Sequence, residues 1–373
     1  VGCVASPVSS QRRNDSTAVA RSPSTTPNGF PHRDVRSTIP APAKTQVNVT
    51  ANETDNDAVR IFVNASRPDD NGDGLSWATA KKTIQAAVDL ATDGMVMLVT
   101  NGNYTVGGRV TQGQTLSNRV VITHAITVRS VNGPTATIIE GSGTNAYGTA
   151  GAMRCVYMNK GELDGFTLSG GTTMTNNHTL FDQSGGGSFG GTLNNCRLLG
   201  NMASMFGGGA CLSTLSNCTL SDNIAYATGG GCSGGILNNC MLSGNMANTG
   251  GGSDGGDLIN CTLFGNIGFS YGGGASQGNL NNCVLSSNTA LHGGGSFQST
   301  LYNCTLSGNM ASGNAGGSYM GEMVNCTFLS NTASTIGGGA LAGTLNNCTL
   351  FGNTAPYGRG VSGGGTLNNC IVW

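Results

Sequence analysis

The chain of 373 residues carries 62 glycines, only 9% charged and 6% aromatic residues, and a formal net charge of -1. So few charges amid so much Gly, Asn, Ser and Thr exclude a helical bundle and an ordinary α/β enzyme. Lysine is absent after Lys160 and no basic stripe appears, which argues against nucleic acid as a partner, and no apolar run approaches the ~20 residues that span a bilayer as a helix.

The opening VGCVASP sets Cys3 behind small Gly2, the arrangement of a lipidated cysteine at the end of a lipoprotein signal. Cys3 is therefore a candidate lipid anchor, the alternative being an arbitrary start within a longer chain. Residues 1–58, rich in Ser, Thr, Pro, Ala and Asn, cannot bury enough apolar surface to offset their ordering entropy, so a disordered leader or linker is expected there and a folded unit over 59–373. IFVNAS (61–66) alternates as a short strand does. In SWATAKKTIQAAVDLATDG, Trp77, Ala80, Ile84, Ala87, Val88 and Ala91 share one face at the helical period. Ser76 is placed as N-cap and Gly94 as stop, predicting a helix over 76–92 that caps the exposed end of the first strands. MVMLVT (95–100) reads as a strand, NGNY as a turn, and RVVIT, AITVRSV and ATIIEG as further strands.

From about Gly185 to Trp373 a repeat takes over, each copy combining a glycine run with an Asn-Cys pair. Cys196, Cys218, Cys240, Cys261, Cys283, Cys304, Cys326, Cys348 and Cys370 form one column. Asn precedes every one of them, another Asn follows five residues after each complete copy, and LDGFTLSGG (163–171) fits the frame with Phe166 in the cysteine place. A period in the low twenties means a solenoid, because one coil cannot bury its own apolar face but a stack can. Short strands and abundant Gly without a helical period select a parallel β-helix over a leucine-rich repeat, and stacking brings like residues above like at the ~4.8 Å strand spacing. Asn repeated at a bend predicts left-handed turns and a side-chain ladder. Small alanines such as Ala203, Ala225 and Ala247 suggest a tight interior corner. The cysteines are read as small apolar core fillers, with Cys211 and Cys232 as the pair best placed for a bridge. The copy that ends at TLNNCIVW is incomplete, so a truncated C-terminus is expected.

The segment SWATAKKTIQAAVDLATDGMVMLVTNGNY resembles the N-terminal capping segment of right-handed parallel β-helix proteins of the pectin-lyase-like superfamily. The repeats resemble those of polymorphic outer membrane proteins, marked by GGA-[ILV] and FxxN. Here the first stands as Gly338-Gly339-Ala340-Leu341 and the second runs from Phe328 to Asn331, with LxxN elsewhere. Cap and NNC repeats together resemble choice-of-anchor bacterial surface proteins. The resemblance implies a right-handed all-β solenoid with an outer-membrane or other cell-surface location. It also raises polysaccharide lyase or glycoside hydrolase activity, since lyases of this fold use acidic calcium ligands with an Arg or Lys base and its hydrolases use clustered Asp.

Chemistry is sparse in the residues themselves. From Gly185 onward the only charged residues are Arg197, Asp222, Asp254, Asp257, Glu322 and Arg359, and their columns bring no acid, base and electrophile together. The region 124–182 is richer, holding His124, Arg129, Glu140, Arg154, Glu162, Asp164, His178 and Asp182. If the protein is an enzyme, Arg154, Glu162, Asp164 and Asp182 are the catalytic candidates. In DDNGDG, Asp69, Asn71 and Asp73 have the spacing of the first half of a calcium loop, but Ala80 stands where the closing Glu belongs, and an Asx-rich turn is the competing reading. The expectation is a noncatalytic secreted or cell-surface stalk or adhesin that binds glycans or surfaces, the alternative being a carbohydrate-active enzyme with its site in the early coils. An ice-binding face of Thr219, Thr262, Thr305, Thr327 and Thr349 ranks third, because Arg197, Met241 and Val284 interrupt it.

Overall fold

The computed structural model describes residues 58–143, 151–175 and 179–373. Cys3 and nearly all of the 1–58 leader lie outside the described residues, as does His178. The described chain is an all-β parallel solenoid with coils of about 22 residues, its strands gathered into sheets of 23, 12 and 7 strands. One coil shows the pattern. Strands Ser253–Asp254 and Asp257–Ile259 lead to Asn260 in the left-handed conformation (φ 54°), then to buried Cys261 and strand Thr262–Phe264. Buried Asn266, strand Ile267–Tyr271 and the glycine run 272–274 complete the turn before Ala275 begins the next coil. The largest sheet holds two columns of short strands, and Ser296–Tyr302 and Ser318–Val324 run unbroken through both.

Register places like above like throughout. Leu215, Leu237, Leu258 and Leu280 pair in succession along one column and Leu220, Leu242, Leu263 and Leu285 along the next, every one buried. Strand alternation turns these inward and their neighbours outward, so each coil covers the apolar face of the one before it. Phe166 occupies the cysteine place as expected, with Leu168 opposite Leu198 and Gly165 taking the left-handed turn that Asn takes later. Small residues fill the corner, Ala225 above Ala203 and Ala247 above Ala225, with Gly268 next in line.

Two asparagine columns divide the work that the sequence suggests for Asn at a bend. Every Asn before a column cysteine, from Asn195 to Asn369, has φ between 50° and 55° and sits exposed at the turn. The second column is buried. Asn223 Nδ2 donates to Leu198 O at 3.0 Å and to Asn245 Oδ1 at 2.9 Å, while its backbone N–H donates to the same oxygen at 3.0 Å. That pattern repeats from Asn201 to Asn331, satisfying in each case both amide hydrogens and two lone pairs of oxygen. The cysteine has a comparable local reason. Cys261 Sγ lies 3.3 Å from Ile259 O and 3.5 Å from Leu237 O, so a residue small enough for the core also offers a weak donor to two turn carbonyls. The glycine runs are required by stacking: a Cβ on Gly251 would meet Ile267 O at 2.3 Å.

Three expectations are corrected. The helix over 76–92 is broken into a 3-10 turn, Trp77–Thr79, and a short α-helix, Ile84–Val88. Between them Lys81 pairs with Val63, its N–H bonding Phe62 O and its C=O accepting from Asn64, so edge pairing with the first strand overrides helix propensity. Ser76 does cap the first turn and Ala80, Ile84, Ala87, Val88 and Ala91 are buried against the first coils, but Trp77 is 41% exposed and packs edge-on to Phe62. NGNY is not only a turn, since Gly102–Tyr104 is a strand paired with Thr137–Ile139. Cys211 pairs with Ser233 and Cys232 with Ala210, a one-residue offset that turns the two thiols to opposite faces of the sheet. None of the described cysteines is joined in a disulfide.

Candidate functional site

The early-coil candidates separate into two pairs. Arg154 lies in strand Met153–Met158 and is fully buried. Its guanidinium donates to Gly185 O (2.9 Å), Ser184 O (2.7 Å), Asn118 Oδ1 (2.7 Å) and Phe181 O. Burial lowers its pKa to about 10, so it stays charged at neutral pH. Asp182, 1% exposed, accepts from the Leu116 amide at 3.0 Å, from the Thr115 amide and from the Thr115 and Thr179 hydroxyls. Burial opposes its charge, but these donors outweigh it and hold the carboxyl below its ordinary value. Together the two side chains clasp the segment around 179–185 onto the solenoid.

Glu162 and Asp164 belong to strand Glu162–Asp164 and flank buried Leu163, so they face outward together, about 6.6 Å apart along the strand. Asp164 is ion-paired with Arg129 (3.0 Å) and accepts from Asn195 Nδ2, while Glu162 accepts from Asn194 Nδ2 at 2.7 Å. His124 stands elsewhere, 3.4 Å from Asp93. Buried pair and outward pair do not converge on one reacting centre.

The 69–73 loop is organised by its own turns. Asp69 Oδ1 accepts from the Asn71 amide, and Asp73 Oδ1 accepts from the Leu75 amide and the Thr79 hydroxyl, which hold its carboxyl below the ordinary value. Asp70, which the calcium spacing passes over, anchors the helix start by accepting from the Lys82 and Thr83 amides. Among the described residues no three His, Cys, Asp or Glu side chains gather around a common point. The donor set fits an Asx turn better than a calcium ligand shell.

A concavity lies elsewhere, beside the glycine runs. One wall is the residue preceding each run, with Phe206 bridged to Thr228, Thr228 to Thr249, Thr249 to Tyr271 and Tyr271 to His292. The other wall lies just past the runs, where Phe189, Cys211, Ser233, Asp254, Ser276, Phe297 and Tyr319 succeed one another in register. Between the walls is a groove of 250 Å³ lined by Phe206, Thr228, Thr249, Asp254, Tyr271, Gln277 and Phe297. Tyr271 and Phe297 stack at 4.5 Å, and His292 and Tyr319 extend the shelf at 5.5 Å and 5.6 Å. Towards the first coils a second group forms, with Tyr157 stacked on Phe189 at 5.8 Å and Arg154 5.2 Å from the Phe189 ring centre. His292 Nδ1 is engaged by the Asn314 amide.

Asp254 lies between the two aromatic groups and is 8% exposed. Burial pushes its pKa up, against the neighbouring Thr228 and Ser276 hydroxyls, which pull it down. Those two hydroxyl oxygens are themselves buried beside the carboxyl. The groove escapes a reading along the chain because its members are about one coil apart in sequence. Aligning the residues before each glycine run (Phe206, Thr228, Thr249, Tyr271, His292) is the signal that would have found it.

No protein-family model and no curated protein matches the chain. Among solved structures it is similar to the pectate lyase Pel9A, with TM-score 0.42 and 13% identity over 84% of this chain and 78% of that one. A rhamnogalacturonan lyase gives TM-score 0.40 and 14% identity, covering 83% of this chain and 87% of its own. The mannuronan C-5 epimerase A-module AlgE4 from Azotobacter vinelandii gives 0.36 and 15%, covering 83% and 96%. The parallel β-helix itself rests on the strand order and register of this chain.

Proposed function

We propose that the chain is a noncatalytic β-helical rod, displayed at the cell surface, that holds glycan chains in the groove beside its glycine runs. The observation that carries this reading is the groove's composition: aromatic faces and hydroxyls around a single carboxylate, Asp254, with no cation in the lining. Hydrolysis of a glycosidic bond needs two carboxyl groups across the scissile bond, and elimination needs a base beside the abstracted proton. The groove supplies ring faces and hydrogen-bonding groups, which suffice for binding. Arg154 and Asp182 are occupied by the backbone around them.

The second reading, a hydrolase, is favoured by the outward pair Glu162 and Asp164, two carboxyl side chains on one face of the same strand. One experiment separates the two. Purified protein is incubated with acidic and neutral polysaccharides, in calcium and in chelator, and bound polymer and new chain ends are read from the same wells. Retained polymer without new ends, unchanged by the chelator, is expected. New chain ends that disappear in Glu162→Gln or Asp164→Asn would replace the rod with an enzyme.

A further inference from the structure

The walls of the groove constrain what it holds. Asp254 is desolvated, and no Lys or Arg lines the space around it. A uronic acid seated there would bring a second carboxylate beside the first without a counter-ion, at the cost of burying like charges together. A neutral hydroxyl does the opposite, since it donates to the Asp254 carboxylate and brings no second charge into the desolvated site. One strand spacing further along, about 4.8 Å, Tyr271 presents a ring that is 37% exposed and braced by Phe297 behind it. An electron-rich aromatic face of this kind accepts the C–H face of a pyranose.

We propose that the groove is a subsite for neutral hexopyranose or pentopyranose chains, with one sugar ring lying on Tyr271 and a hydroxyl of the adjoining sugar donated to Asp254, and that it discriminates against uronates. This rests on the glycan-binding reading above and adds the ligand class and the residues that select it.

The test is calorimetric titration of the full chain with xylohexaose, cellohexaose and mannohexaose as neutral probes, and with hexamers of galacturonate and mannuronate as acidic ones. At least one neutral probe is expected to bind and both acidic probes to fail. Tyr271→Ala should weaken the neutral complex about tenfold, the loss of one stacking face, and Asp254→Ala should weaken it at least as much. Phe351→Ala, exposed on another face, should leave it unchanged and controls for surface changes in general. Melting curves confirm that each variant is folded. Should Asp254→Ala fail to fold, Tyr271→Ala and the neutral-to-acidic ratio of the parent protein decide alone. Equal or tighter binding of the uronates, or neutral binding indifferent to Tyr271→Ala, overturns the subsite while leaving a glycan-binding rod. Failure of the parent protein to take up any saccharide overturns the rod reading and the subsite together.

Discussion

Arg154 and Asp182 illustrate how residue type and residue role come apart. Both are the kinds of side chain a polysaccharide enzyme uses, yet their donors and acceptors are spent on neighbouring backbone and side-chain groups. Asp182→Ala would orphan the Leu116 and Thr115 amides and is expected to destabilise the early coils by about 3 kcal/mol, the cost of stranding buried donors. Because its carboxyl is held below the ordinary value when folded, its contribution is present above the unfolded pKa and lost as pH falls through the folded one. Thermal unfolding from pH 7 downward should therefore show the parent protein losing stability towards the Asp182→Ala level at acid pH. A constant gap between the two at every pH would refute the assignment. Their chemical type was legible in the sequence. Their commitment was not, because the groups that engage them lie up to 67 residues away.

At the scale of the element, the asparagine ladder is the most exacting part of each coil. A strand of two or three residues has little stability of its own, and the ladder ties each turn to the next by three bonds at a fully buried position. Asn266→Leu would remove the acceptor of the Asn245 amide and side chain and the donor to Leu242 O. A loss of about 3 kcal/mol or more is expected from three stranded groups, read as faster amide exchange confined to the coils next to 266. Exchange that rises equally along the whole solenoid would show that the ladder acts globally. The ladder was foreseeable from the spacing of Asn. Its separation from the left-handed turn was not, since both columns carry the same residue and differ only in backbone torsion and burial. The helix over 76–92 failed for a related reason: its apolar period was genuine, but Lys81 found an edge strand to pair with.

Taken as a whole, the solenoid is quasi-one-dimensional, each coil touching chiefly its two neighbours. Removing residues 283–303 joins Asn282 to Cys304 and deletes one period without disturbing any column. Such a chain is expected to fold, to shorten by about 4.8 Å, to melt within a few degrees of the parent, and to keep neutral-sugar binding, because Asp254 and Tyr271 remain and Tyr319 moves into the register place of Phe297. Deleting half that length should abolish cooperative unfolding by throwing apolar and polar columns out of register. If both deletions melt alike, register is not what holds the stack together.

The sequence by itself determined the solenoid, its period, the inward Cys and Leu columns and the scarcity of charge, because a repeat that returns every residue to the same place leaves one consistent way to bury it. Tertiary structure decided which side chains meet across coils: the clasp of Arg154 and Asp182, and the groove that sets Asp254 beside Tyr271 and Phe297. The physical reason is that contacts along the chain come from strand alternation, whereas contacts between coils depend on register, and a shift of a single residue turns a side chain to the opposite face.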